Sequence, residues 1–220
     1  MRKEIFDMKI QCFIVNMLEE NCYLLWDDDK NAIIIDCGAF YPEEQTQIRD
    51  FIIEKKLNLK KMLNTHAHFD HLFGASFIHV NYGVGLSISS AEKQTYETAL
   101  LQPRQFMHCD IPLKLAPVDV WFNDGDEIKV GSMVLKVIAT PGHTLGGVCF
   151  YSEKNKVLFS GDSLFRGQIG RCDFPGGNEY QLIKGLKERI LTLPNDVQVL
   201  PGHGMATTIG DEKVINPFLR

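Results

Sequence analysis

The sequence has no two cysteines in C-x-x-C spacing, no excess of positive charge and no apolar run long enough to cross a bilayer. Its six cysteines, Cys12, Cys22, Cys37, Cys109, Cys149 and Cys172, are scattered through 220 residues. A chain of that length buries enough surface to fold without disulfide staples, so reduced thiols in the cytoplasm are expected. The formal net charge of -5 leaves no basic footprint for nucleic acid. The apolar runs fall far short of the roughly 20 residues that a membrane-spanning helix needs. The opening MRKEIFDMKIQCFIV carries charge but no long apolar stretch before a small-residue cleavage site, which argues against an export signal. Linkers, low-complexity tracts and short-period repeats are missing as well. One domain over residues 1–220 is expected, with neither nucleic acid nor membrane as a partner; oligomeric state is not readable.

What is present is a globular composition, 45% hydrophobic and 23% charged, arranged in two strand-rich halves. QCFIVNML, NCYLLWDD and NAIIIDCG read as strands between polar breaks. PEEQTQIRDFIIEKKL reads as a helix with Pro42 in its first turn. KKMLNTH returns to a strand, a helix is expected from about Asp70 through HLFGASFIHVNYG, and GLSISS is a short strand. AEKQTYETALLQPRQFM reads as helix at least to Pro103. After a Pro-containing loop come DEIKV, MVLKVIAT, GVCFYSE and KVLFSGD as strands. EYQLIKGLKERILTL has helical spacing, and VQVLPGHG is a last strand before a short tail. This order suggests two sheets packed face to face and covered by helices.

Chemistry-bearing residues recur where apolar runs stop. THAHFDH, Thr65 to His71, follows KKMLN; TPGHT follows VLKVIA; SGDS follows KVLF; PGHG follows VQVL. Loops at the rim of a sheet let a rigid scaffold aim several side chains at one point. His66 and His68 are two apart, so in extended chain both imidazoles face the same way and can reach one metal. Asp70 and His71 can face a second metal beside it, and His143, Asp162 and His203 complete the set. Taken singly, TPGHT or PGHG is a turn and SGD a cap; four coordinating residues in six positions are not explained that way. The donors are nitrogen and oxygen, which suits zinc and equally iron or manganese. His79 and His108 are left over as ordinary surface or core residues.

THAHFDH, TPGHT, GDSLF and PGHG, in this order, resemble the metallo-β-lactamase superfamily over essentially the whole chain. The resemblance implies a four-layer αββα sandwich, two mixed β-sheets flanked by helices. It implies His66, His68 and His143 on a first metal, Asp70, His71 and His203 on a second, and Asp162 bridging both. GDSLFRGQIGRCDFPGGN and the ending PGHGMATTIGDEKVINPFL look most like the short bacterial members of the glyoxalase II-like, or hydroxyacylglutathione hydrolase-like, branch. That branch implies two divalent ions, zinc first among them, and a metal-bridging hydroxide that attacks the carbonyl of a small-molecule thioester such as S-lactoylglutathione. Asp70 would orient the hydroxide besides ligating metal. Thr65, Thr140, Thr144 and Ser163 are candidates to orient the ligands.

The glutathione side of the resemblance is reduced. Arg171 fills the branch's basic substrate-binding position, but Asp173 stands where a tyrosine is expected, and only Gly204 to Arg220 follow His203. A smaller or different thioester is therefore expected. GRCDF also resembles the GRTDF segment of persulfide dioxygenases, which use one iron, and this is the alternative reading; a non-catalytic metal-binding protein is a remote one. Exported β-lactamases fit less well, as do flavodiiron proteins, which carry Glu at the place of His68. Phe165, Phe174 and Tyr180 are candidates to line a substrate pocket. Cys172 lies in the same loop, where its exposure decides its reactivity, and Cys37 reads as a buried thiol in a turn.

Overall fold

Side-chain alternation sorts this chain into layers. The computed structural model describes residues 8–220; residues 1–7 of the opening stretch read for an export signal lie outside it. The first half runs β1 (Lys9–Val15), β2 (Glu20–Trp26), β3 (Asn31–Ile35), α1 (Pro42–Glu54), β4 (Asn58–Leu63), α2 (Ala75–Tyr82), β5 (Leu86–Ser89), α3 (Lys93–Glu97), α4 (Gln102–Met107) and β6 (Val118–Phe122). The second half runs β7 (Glu127–Val130), β8 (Met133–Ala139), β9 (Val148–Ser152), β10 (Val157–Gly161), the short β11 (Leu164–Phe165) and β12 (Gln168–Ile169), α5 (Glu179–Gly185), β13 (Gln198–Pro201), β14 (Thr207–Thr208) and α6 (Ile209–Ile215). One six-stranded sheet has the order β1-β2-β3-β4-β5-β6 and the other β14-β13-β10-β9-β8-β7. Both are mixed: β3, β4, β5 and β6 pair in parallel, as do β10 and β13, and the remaining ladders of these two sheets are antiparallel.

In β3, Ile33 and Ile35 face the middle of the molecule while Ala32 and Ile34 face the outer layer. In β9, Val148 and Phe150 face the middle, and Cys149 and Tyr151 the opposite outer layer. Strands covered on both faces read as unbroken apolar runs, as NAIII and GVCFY do. The middle space holds Tyr23, Leu25, Ile33, Leu63, Phe150 and Phe159 between the sheets. Ile48 and Ile52 of α1 close one outer space, and Leu182 of α5 with Ile209 of α6 the other. Three apolar spaces between four layers make the expected αββα sandwich.

Local structure departs from the sequence expectation in several places. The helix expected from Asp70 starts only at Ala75, because Phe69–His71 forms a separate 3₁₀ turn that aims Asp70 and His71 inward. The helix expected over AEKQTYETALLQPRQFM is broken into α3, a 3₁₀ turn at Ala99–Leu101, and α4, which accepts Pro103 in its first turn. VDVWF is a strand the sequence reading left in a loop; its parallel pairing with β5 makes it one. The tail after PGHG adds β14 and α6, which is capped by the Thr208 hydroxyl accepting from the Asp211 N–H. Among the described residues no helix is long and apolar enough to cross a membrane.

Candidate metal centre

Strands β8, β10 and β13 run in one direction, since β9 is antiparallel to both β8 and β10 and β13 is parallel to β10. The loops at their C-terminal ends therefore share one rim, and carry His143, Asp162 and His203. The opposite sheet delivers His66, His68, Asp70 and His71 from the chain leaving β4. The seven residues converge. His66, His68 and His143 offer donor atoms within 4.8 Å of one another, as do Asp70, His71 and His203, and Asp162 groups with His66 and His71.

The spacing between donors matches ligation. Donors about 2.0–2.1 Å from a tetrahedral zinc ion stand roughly 3.3 Å from one another. His66 Nε2 and His68 Nδ1 are 3.2 Å apart. His203 Nε2 lies 3.2 Å from Asp70 Oδ2, and His71 Nε2 lies 3.8 Å from the same oxygen. Asp162 divides its oxygens: Oδ1 is 3.4 Å from His71 Nε2, while Oδ2 is 3.6 Å from His143 Nε2 and 3.8 Å from His203 Nε2. His143 Nε2 is buried and has no hydrogen-bond partner among the described residues. Such an orphan costs about 1–3 kcal/mol unless something else meets its lone pair. Gly202 leaves the cradle open: a Cβ there would press into Asp162 Oδ1 and stand 2.8 Å from His71 Cε1. The residues present fit a pair of metal ions.

The far side of each ring explains why its near nitrogen is bare. The Thr65 hydroxyl donates to Asp36 Oδ2 at 2.7 Å, so toward His66 Nδ1, 3.0 Å away, it accepts. His143 Nδ1 donates to the Arg171 carbonyl at 2.6 Å, and His203 Nδ1 to the Leu18 carbonyl at 2.9 Å. With the proton committed outward, Nε2 of each ring is the free donor, the tautomer a metal ligand requires. Asp36 is held for this role at φ +51°, a left-handed conformation that costs a non-glycine residue about 1 kcal/mol or more. There it also accepts from the Thr65 N–H at 2.7 Å and lies 3.3 Å from His71 Nδ1.

Electrostatics separates the two triads. Burial pushes the His66 imidazole well below its usual value, helped by His71 and His68. Burial, with His143 adding to it, lowers His68 to about 3. Burial also opposes charge on His71, but Asp70, Asp162 and Asp36 outweigh it and raise that ring well above the usual range. Burial raises the Asp162 carboxyl, yet nearby His71 and His203 overcome this and hold it well below the usual carboxylate range. Asp70 is lowered in the same way, against burial, by His71 and His203.

The centre opens into a cavity of about 850 Å³ lined by His68, Asp70, Phe106, Phe165, Arg171 and Phe174 among others. Of the aromatics expected there, Phe165 and Phe174 line it; Tyr180 stands away, 77% exposed on α5. Arg171 does reach the cavity, but its guanidinium is engaged: Nε and Nη2 donate to Asp173 at 3.0 and 2.8 Å, and the group lies 4.3 Å over the Phe174 ring. Of the hydroxyls expected to orient ligands, Thr65 does so, whereas Thr140 and Ser163 bond to each other at 2.6 Å. Cys172 is half-buried, and burial pushes its thiol up to about 11, so it is not a reactive thiolate at neutral pH. Cys37 is fully buried.

Two acids near the centre escape the sequence reading. Asp36 ends the apolar run NAIII as abruptly as Asp162 ends KVLFSG, and the same stop signal could have found it. Glu20 carried no signal: it opens β2, fully buried, 3.9 Å from His71 Nδ1 and accepting from the Gly38 N–H at 3.2 Å.

Comparison with known proteins identifies the family and the fold. The family described as Metallo-beta-lactamase superfamily matches residues 16–203. Hydroxyacylglutathione hydrolase GloC of Haemophilus influenzae is 39% identical over 214 residues, covering 96% of this chain and 98% of that protein. Among solved structures, BLEG-1 B3 metallo-beta-lactamase superposes with a TM-score of 0.87 at 32% identity, covering 96% of this chain and 99% of that one. TTHA1623 in a di-iron-bound form gives 0.83 at 33% identity, covering 95% and 100%.

Proposed function

This chain belongs to the metallo-beta-lactamase superfamily, and from that premise we propose that it is a dinuclear metal-dependent hydrolase of thioesters, of the hydroxyacylglutathione hydrolase-like kind. The observation that carries the reading is the pair of ligand-spaced triads sharing Asp162 at the floor of an open cavity with an aromatic wall. We assign His66, His68 and His143 to one ion, Asp70, His71 and His203 to the other, and Asp162 to both. Zinc is the first choice; iron and manganese fit the same nitrogen and oxygen donors. When bound, two divalent ions supply a water acidified to near neutral pKa and Lewis acidity toward a carbonyl oxygen.

The residues of this chain do the rest. The carbonyl outward of His143 and that outward of His203 keep both rings in one orientation. Asp70 stays ionised at neutral pH, lines the cavity, and can hold an incoming water by one oxygen while the other faces His203. Phe106 and Phe174, 4.6 Å apart, form an apolar wall for the substrate beside His68. A thiolate leaves readily, so no strong general acid is required of the wall.

Arg171 is the substrate contact we assign, and its pairing decides the preference. It is the one arginine or lysine among the described lining residues, and Asp173 neutralises it. The cavity therefore favours a thioester whose thiol half carries less negative charge than glutathione. We place the protein in the reducing cytoplasm, in keeping with its free cysteines.

The test is metal content per chain after purification without added metal, with hydrolysis of S-D-lactoylglutathione, of a thioester of an uncharged thiol, and of a β-lactam on the same sample. About two ions and faster turnover of the uncharged thioester are expected. One iron, no hydrolysis and oxygen uptake with glutathione persulfide would replace this reading by the dioxygenase.

A further inference from the structure

Glu92 is a carboxylate with no exposed surface, on the 3₁₀ turn that follows β5. It touches no ligand atom, yet its two oxygens are spent on the two loops that carry the first triad. Oε2 accepts the N–H of Ala67, the residue between His66 and His68, at 2.9 Å. Oε1 accepts the N–H of Gly146, in the loop of His143, at 2.6 Å. One loop leaves the first sheet and the other the second, so a single side chain fixes their separation across the rim.

Two further observations show a built arrangement. Gln102 takes the other backbone group of the same residue: its Nε2 donates to the Ala67 carbonyl at 3.1 Å and its Oε1 accepts from the Phe69 N–H at 2.9 Å. The Ala67 backbone is thus held at both its donor and its acceptor. Gly146 is where it is because the chain must pass close: a Cβ there would stand 2.6 Å from the Glu92 nitrogen and 2.8 Å from the Ala91 Cβ.

We propose that Glu92 is a positioning residue for the first metal position alone: it sets the distance between the His66–His68 pair and His143 by clamping the Ala67 and Gly146 backbones, and leaves Asp70, His71 and His203 untouched. The carboxylate gives one oxygen to each of the two N–H groups, and these bonds oppose the burial that raises its pKa. A glutamine of the same shape satisfies one and turns its own N–H₂ against the other. The proposal rests on the metal-binding reading above and adds to it a division of labour between the two positions.

The experiment is a zinc competition titration of Glu92→Gln against the unaltered residue in two backgrounds. His203→Ala leaves the first triad intact, and His143→Ala leaves the second. In the first background Glu92→Gln lowers zinc affinity roughly 10- to 100-fold, the range for groups that orient ligands from outside the coordination sphere. In the second background it leaves affinity unchanged. Equal losses in both backgrounds would reduce Glu92 to a general structural role, and no loss in either would remove the clamp. Failure of the unaltered protein to bind zinc or any other divalent ion would instead overturn the metal reading, and the clamp with it. A readout on the unaltered chain stands even where a variant does not fold. The Ala67 and Gly146 amide protons should resonate far downfield and exchange slowly, as donors to a buried carboxylate do. Ordinary shifts with fast exchange at both amides would overturn the proposal.

Discussion

The two triads sit side by side and are built on opposite principles. His66, His68 and His143 form an all-imidazole cradle, and burial pushes His66 and His68 toward neutrality, His68 down to about 3. Its order comes from outside: the Thr65 hydroxyl, the Arg171 carbonyl, and the grip on Ala67 and Gly146. Asp70, His71 and His203 lie instead among carboxylates, with Asp36 and Glu20 behind them, and His71 and His203 are raised, although burial opposes their charge. The difference is one of charge: the first cluster is imidazole alone, while carboxylates crowd the second and favour a positive charge there, a proton or a cation.

The largest effect expected is at the residue the two positions share. Asp162→Ala should abolish binding at both and with it hydrolysis, measured as metal per chain and turnover; retention of one full equivalent would show that the triads do not depend on a shared carboxylate. Next is Gly202→Ala, whose methyl would crowd Asp162 and His71. It should empty the charge-rich position first and cost about 1–3 kcal/mol of stability from overpacking, read by chemical denaturation alongside metal content.

The third prediction sets the triads against each other in chelator-stripped protein. A histidine whose folded pKa is depressed is protonated first in the unfolded chain. The His68 contribution is therefore complete above its ordinary 6.5 and is lost as pH falls toward about 3, by about 1.4 kcal/mol per pH unit. His71 is raised, so its contribution is complete below 6.5 and is lost as pH rises through its folded value. Denaturation midpoints measured across pH should pass through a maximum, and His68→Phe should flatten the acid limb only. A monotonic profile would erase the contrast. The smallest effect concerns the pocket loop: at about pH 8, alkylation should label exposed Cys109 well before Cys172, whose thiol burial holds near 11, as peptide mass mapping would show.

How much of this was legible depended on sequence distance. His66, His68, Asp70 and His71 share one short stretch, and period-two geometry alone puts the first two on one side. His143, Asp162 and His203 each follow an apolar run and could be read as strand-end loops. Glu92 lies 25 residues from Ala67 and 54 from Gly146, and AEKQT reads only as the start of a helix. The same distance explains the broken helix over residues 93–107. Its period predicts continuity, but Gln102 has to reach the Ala67 and Phe69 backbones, and satisfying those buried groups outweighs a few extra helical bonds. β6 was missed because pairing with β5, not its own five residues, makes it a strand.

Four donors hang from one sheet and three from the other, with Phe150, Phe159 and Leu25 filling the space between. Sliding of one sheet across the other would alter the distance between His66 and His143. The centre would thereby act as a strain gauge for the sandwich. A methylene removed from the middle layer, far from every ligand, should be recorded as a change in metal affinity, and a bound metal pair should in turn stiffen the slip between the sheets.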